Sequence, residues 1–222
     1  MLLDTITDIL PLAAGIALSP IPVAAVVSIL LATDTRKASA FLLGWAAGIL
    51  AVALLVLFVP GLRMFNGDPT PMAGWLRIFL GGALFAVAWR KWQKRPSSEA
   101  PVEEPKFLAK IDSYNSWKTL VLGVSLSVFN PKSFVLTSAS AMTIYEAKIV
   151  GKDKALIIVI FALIASLSVG LPIAYTWARR AKAQKILEEF KDWLLANNTA
   201  VTVALLVVFA MLIVGSGLKI VF

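Results

Sequence analysis

Lys132 is the residue of this sequence best placed to do chemistry. It stands directly after Asn130 and Pro131, in an otherwise uncharged stretch bounded by Lys118 and Glu146. An ammonium at the centre of a membrane-crossing helix costs roughly 2.5–3.5 kcal/mol, so something should offset it. The apolar stretches of the chain contain no Asp or Glu that could pair with it; Asp8 is nearest, toward the outer end of the first stretch. A cation without a built-in counter-charge, facing a cavity, suits an anion. Pro131 opens a helix whose free N–H groups and positive dipole end face the break, and Ser133, Thr137 and Ser140 follow on one helical face. Such a set could hold a phosphate or a carboxylate. Two other arrangements satisfy the same residues: a side chain that snorkels to an interface, or a lysine that sits uncharged where it is.

A second interruption falls in the first apolar stretch, at Ser19-Pro20-Ile21-Pro22. Proline removes a backbone donor and clashes with the carbonyl four residues earlier. In lipid the freed carbonyls need other partners, so breaks in corresponding helices tend to line a cavity near the midplane. The plainer alternative is a pair of kinks.

The inventory also excludes chemistry. Cys and His are both absent, which removes disulfides, thiolate and imidazole metal sites, and Ser/His/Asp or Cys/His triads. Hard divalent cations want several carboxylate oxygens, and proton relays run through buried Asp, Glu or His. Beyond Asp8 neither is visible in the apolar stretches. No phosphate loop or nucleophile–base pair occurs, so no enzyme, metal or cofactor is expected. The formal charge of +8 reads as basic loops on the cytoplasmic face, not as a nucleic-acid surface.

The elements that must position these residues are membrane spans. The 222 residues are 59% hydrophobic and 15% charged, with a mean hydropathy of +0.84, beyond what one soluble core can hide. At about 20 apolar residues per crossing, spans are predicted at Ile6–Leu31, Ala38–Phe58, Ala73–Trp89, Thr119–Tyr145, Ala155–Trp177 and Thr199–Leu218. Met1 to Leu10 has no basic residue, so the first segment reads as retained, not as a signal peptide. Pro96 to Pro105 is a Pro/Ser/Glu linker. Two amphipathic stretches, around Phe107–Tyr114 and Ile186–Leu194, either lie in the interface or extend the spans that follow. The fold class is therefore all-α: a polytopic membrane protein of about six transmembrane helices, arranged as two inverted three-helix repeats at 1–95 and 118–222 around a cytoplasmic linker at 96–117. With both termini outside, fourteen Lys and Arg fall inside and six outside, with Lys132 within a span, which favours that orientation. Gly44 and Gly48 suit close helix packing, within a protomer or in a possible homodimer. Gly81-Gly82 opens space in the third span. Gly170-Leu171-Pro172 suits a kink or a gate. Trp75, Trp89, Trp92, Trp117, Trp177 and Trp193 sit near span ends as interface anchors.

Ala17-Leu18-Ser19-Pro20-Ile21-Pro22 and Ala40-Phe41-Leu42-Leu43-Gly44-Trp45 resemble the start of the GAP family, the Sap-like proteins named for the addressing of sulfolipid and glycopeptidolipid to the mycobacterial surface. Asn130-Pro131-Lys132 is similar to an element of that family and of the wider lysine-exporter superfamily. The resemblance covers nearly the whole chain. It implies an exporter-type fold in the bacterial inner membrane and a role in moving a lipid, a glycolipid or some small metabolite. The residues it carries over are Ser19, Pro20 and Pro22, and Asn130, Pro131 and Lys132. The partners expected are membrane lipids and an anionic lipid-linked, or small anionic or zwitterionic, substrate. The readings that follow are a flippase for an anionic lipid, a small-solute exporter such as one for amino acids, and a non-transporting helper of envelope synthesis.

Overall fold

The computed structural model describes residues 2–32, 34–58, 71–95, 107–178 and 180–222. Most of the Pro/Ser/Glu linker (96–106), Arg63 and Arg179 lie outside them. The described residues are helical and form no strand. In chain order the helices are α1 (Leu2–Ala17), α2 (Pro20–Leu31), α3 (Thr35–Phe58), α4 (Pro71–Gln93), a 3₁₀ turn (Leu108–Ser113), α5 (Ser116–Val128), α6 (Pro131–Glu146), α7 (Gly151–Ala178) and α8 (Arg180–Val221).

Both predicted interruptions are breaks. α1 and α2 meet at 56°, and α5 and α6 at 69°. The pieces are 12 to 16 residues long, or roughly 18–24 Å at 1.5 Å per residue, so none alone covers a hydrocarbon core of about 30 Å. α3, α7 and α8 are each long and apolar enough to cross. Counting each bent pair as one span gives up to five. The third predicted span falls on α4, whose 23 residues reach about 35 Å. The protein is thus a polytopic all-α membrane protein.

Contacts divide the chain into two compact units: Met1–Arg63 with Glu104–Leu195, and Met64–Glu103 with Ala196–Phe222. In the first, α3 packs on α5, α6 and α7, while α1 packs on α6 and α7 and α2 on α7 and α3. Its core is built from Ile9 and Ile16 of α1, Phe41 and Trp45 of α3, Leu136 of α6 and Phe161 of α7, all essentially without solvent exposure. The Trp45 indole N–H, buried with the ring, donates to the Ala165 carbonyl at 3.4 Å. The other six tryptophans stand exposed, as interface anchors require.

Small residues set the closest approach in this unit. A Cβ at Gly44 would run into the Leu120 carbonyl, one at Gly123 into the Phe41 carbonyl, and one at Gly48 into the Ser127 hydroxyl. The glycines expected to serve packing within or between protomers are therefore used between α3 and α5. In the second unit, Gly74 faces Val221 and the Gly217 carbonyl, and Gly81 faces Val214 and the Ala210 carbonyl, joining α4 to the end of α8; Gly82 faces open space.

The two amphipathic stretches resolve differently. The first is the separate 3₁₀ turn, with Leu108 and Ile111 buried and the turn packed on α2. α5 then starts afresh behind Asn115, whose side chain accepts the Lys118 N–H at 2.8 Å. The second is continuous with α8. α7 runs through Pro172 without interruption.

Backbone cannot yield where a side chain can, so the glycines differ in what they tolerate. Gly44→Ala and Gly123→Ala should each cost about 1–3 kcal/mol of overpacking, read as a lower melting temperature in detergent. Gly48→Ala, whose worst clash is with the movable Ser127 hydroxyl and which approaches backbone only at the Val124 carbonyl, 3.1 Å away, should cost less. Equal losses at all three positions would contradict this packing.

Candidate functional site

The first break leaves two carbonyls without their helical donors. In a continuous helix the N–H of residue 20 would serve the Ile16 carbonyl and that of residue 22 the Leu18 carbonyl. Both positions are proline, and neither can donate. The Ser19 hydroxyl takes the first vacancy, donating to the Ile16 carbonyl at 2.7 Å. The Ser19 N–H turns back to the Ala17 carbonyl at 2.8 Å. Ile16, Ser19, Pro20 and Pro22 are buried, where an unserved carbonyl costs about 1–3 kcal/mol, whereas Leu18 itself is exposed.

The second break supplies what the first still lacks. α6 begins at Pro131, where a missing N–H costs nothing because the first turn has no intrahelical acceptor. Asn130 caps it, its side chain accepting the Lys132 N–H at 3.1 Å, and its carbonyl accepts the Phe134 N–H at 2.9 Å. The turn so fixed directs Lys132 toward α1, and its Nζ donates to the Leu18 carbonyl at 3.0 Å. The lysine of one break thus donates to the carbonyl that, were the helix continuous, Pro22 would leave unserved at the other. A hydrogen bond to a charged group contributes about 1.5–3 kcal/mol, comparable to the roughly 2.5–3.5 kcal/mol cost of the charge. It stabilises the ammonium without cancelling its charge.

The lysine is therefore not wholly without a partner, although no carboxylate serves it among the ion pairs of the described residues. A search for acidic residues misses a carbonyl. The signal was nonetheless in the sequence: Leu18 lies four residues before Pro22, as Ile16 lies four before Pro20.

The predicted face of α6 is the buried one, since Ser133, Thr137 and Ser140 are at most 1% exposed. The Ser140 hydroxyl is spent on the Leu136 carbonyl at 2.9 Å. The Ser133 hydroxyl, one residue beyond Lys132, has no partner among the described residues, and neither do the buried hydroxyls of Ser28 on α2, Ser138 on α6 and Ser166 on α7. Ser28, Ser138 and Ser166 were not anticipated, because single serines in an apolar run carry no distinguishing pattern. Pro131 lies exposed, while Asn130 and Lys132 are half-buried. The structure thus brings Lys132 and Asn130 to the end of α1 beside Ser19, with Ser133 and Thr137 leading inward along α6. The site offers an ammonium with two N–H groups beyond the one it uses, the positive end of α6 and a free hydroxyl.

Fold and site together define a class: a polytopic all-α membrane protein in which two proline-broken helices are joined by a lysine. Within it, the chain belongs to the family described as Sap, sulfolipid-1-addressing protein, which it matches over residues 9–219, a span that contains both breaks. No curated protein and no solved structure matches the chain.

If Lys132 stands in for the missing donor of Pro22, the two residues are coupled energetically. Lys132→Met should destabilise the protein by about 0.5–1.5 kcal/mol by removing the donor of the Leu18 carbonyl, which belongs to an exposed residue. Pro22→Ala supplies an N–H four residues after Leu18 that serves its carbonyl if the chain straightens across Ser19, so the double variant should recover about 0.5–1 kcal/mol relative to additivity. Unfolding in detergent measures all three variants. Strict additivity would show that Lys132 does not act through this carbonyl.

Proposed function

We propose that this protein moves an anionic lipid or glycolipid, carrying a phosphate or sulfate head group, across the bacterial inner membrane for envelope assembly. The head group is taken at Lys132. The observation that carries this reading is the Lys132–Leu18 hydrogen bond, which holds the Lys132 amino group at the junction of two broken helices against a carbonyl dipole, with no carboxylate paired to it among the described residues. An anion gains the ammonium, the dipole of α6 and the Ser133 hydroxyl together. Asn130 and Pro131 fix the turn from which Lys132 extends, and Ser19, Pro20 and Pro22 shape the opposite wall. The family's description supports a lipid as the cargo.

The unpartnered hydroxyls of Ser28, Ser133, Ser138 and Ser166 favour a second reading, a small polar solute such as an amino acid leaving through the same bundle. Reconstitution in proteoliposomes separates the two. Under the first reading a labelled anionic lipid changes leaflet at a rate that Lys132→Gln lowers at least about tenfold, an amount equal to about 1.4 kcal/mol, while Lys132→Arg keeps part of it. Gln removes the charge and is one bond shorter, so an unchanged melting temperature of the Lys132→Gln protein shows that the loss is not one of folding. Efflux of a labelled amino acid without lipid movement would establish the second reading. Lipid movement unaltered by Lys132→Gln would remove Lys132 from the mechanism.

The distribution of Lys and Arg supports both termini on the outer face. The chain has no Cys, so single cysteines report topology directly. Leu3→Cys should react with an impermeant maleimide on intact cells, and Lys185→Cys only after lysis. The reverse pattern would invert the orientation.

A further inference from the structure

The junction of the two breaks has an inner and an outer side, and the two differ. On the inner side Ile16 of α1 and Ser133, Leu136 and Thr137 of α6 are at most 2% exposed, with α1 packed on α7 and α6 on α3. On the outer side Leu18 is 56% and Phe129 80% exposed, Pro131 is exposed, and Asn130 and Lys132 are half-buried. Ile16 and Leu18 stand two residues apart, which puts them on opposite sides of α1. The Lys132 side chain lies along the boundary, because its Nζ ends on the Leu18 carbonyl. Packing closes the inner approach to that amino group and leaves the outer one open.

The surface around the outer approach is apolar. Between Asp8 and the break, the exposed residues of α1 are Leu10, Pro11 and Leu18. α6 exposes Pro131 and Phe134 before its last turn, and α2 exposes none of its residues. Roughly 24 Å of α1 and 18 Å of α2 separate the junction from the ends of the bent pair. Where the pair crosses as one span, the opening therefore lies at depth in the hydrocarbon. A water-filled route to a buried cation is lined by polar groups; a rim of Leu, Pro and Phe meets acyl chains.

We infer that the Lys132 site opens sideways into the bilayer between Leu18 and Phe129, and that its occupant brings an anionic head group in over this rim while its acyl chains stay in lipid. The inference rests on Lys132 as the head-group site of the proposed function and narrows what that site accepts. A water-soluble anion with the same head group would have to give up its hydration to cross an apolar surface. A lipid is already held in the membrane by its chains, and only its head group has to move.

The test uses the full chain in phosphatidylcholine liposomes, with a nitroxide on single cysteines at Leu18→Cys, at Phe129→Cys and, as the aqueous reference, at the exposed Lys185→Cys. Oxygen collects in hydrocarbon, and a nickel chelate stays in water. The ratio of oxygen to nickel accessibility at positions 18 and 129 should be at least about tenfold that at position 185. Phosphatidic acid added to the liposomes should slow the nitroxide at Phe129→Cys, and glycerol 3-phosphate in the buffer should not. In the Lys132→Gln background neither should have an effect. Nickel reaching positions 18 and 129 as it reaches 185 would overturn sideways entry whatever the cargo. So would inaccessibility to both reagents, which would place the rim against protein, and so would an equal response to glycerol 3-phosphate, which would show filling from water. Lipid-facing labels that phosphatidic acid leaves unchanged, or slows equally in Lys132→Gln, would instead overturn Lys132 as the head-group site, and the entry route with it. The accessibility measurement needs neither a ligand nor a change at Lys132, so it decides the route even where Lys132→Gln folds poorly.

Discussion

Pro20 and Pro22 leave two carbonyls that the helix cannot serve, and the rest of the first unit is organised around serving them. In water such a carbonyl finds solvent; in hydrocarbon it needs a donor from the protein. Ser19 meets one need locally, at a separation of three residues. Lys132 meets the other across 114 positions of sequence. The long-range bond matters more, because it joins the two interruptions: neither can straighten or separate without giving it up. A serine at position 132 could not have reached, and an acidic residue would have repelled the carbonyl.

A bond of this kind requires rigid surroundings, and the glycines supply them. With Gly44, Gly48 and Gly123 at the contact, the backbones of α3 and α5 approach until only a missing Cβ separates them. α5 leads directly into the second break, so fixing α5 against α3 fixes where α6 begins. α1, which carries the acceptor, packs on α6 and α7 through Ile9, Ala13 and Ile16, none of them exposed. The Trp45 indole then closes α3 onto α7. Donor and acceptor are therefore each held by a helix pair that does not depend on the bond between them.

How much of this can be read from residues alone follows from the range of each effect. Local rules located both breaks, because each pairs proline with a residue that ends or caps a helix, Ser19 before Pro20 and Pro22 and Asn130 before Pro131, whereas the lone Pro11 and Pro172 leave α1 and α7 continuous. They located the glycine contacts as a spacing, though not the partner, since Gly44-x-x-x-Gly48 specifies a smooth face and nothing about which helix lies on it. They left the amphipathic stretches ambiguous, and the structure separates the two: Asn115 offers a cap that lets α5 begin anew, whereas nothing in Ile186–Leu194 stops α8. The acceptor of Lys132 lay hidden for a different reason. Reading side chains for charge passes over the backbone, yet the prolines mark, four residues upstream, which carbonyls will be in need. The division into two units is not legible at all, because it follows from long-range contacts that no local pattern encodes.

The choice of a carbonyl over a carboxylate has a consequence for any anion that must come and go. A buried carboxylate beside Lys132 would neutralise it and would have to be stripped away at a cost of about 3–5 kcal/mol per broken pair. The Leu18 carbonyl holds the ammonium with a bond worth about 1.5–3 kcal/mol, and the charge remains available. An arriving phosphate or sulfate can use the two remaining N–H groups without breaking that bond, or can compete for the third and loosen the contact between the breaks. Under the proposed function this gives binding and release from one feature. The lysine is stabilised enough to be tolerated among apolar helices and is still charged enough to take a ligand. The junction it maintains between α1 and α6 is the part of the bundle that occupation of the site would disturb first.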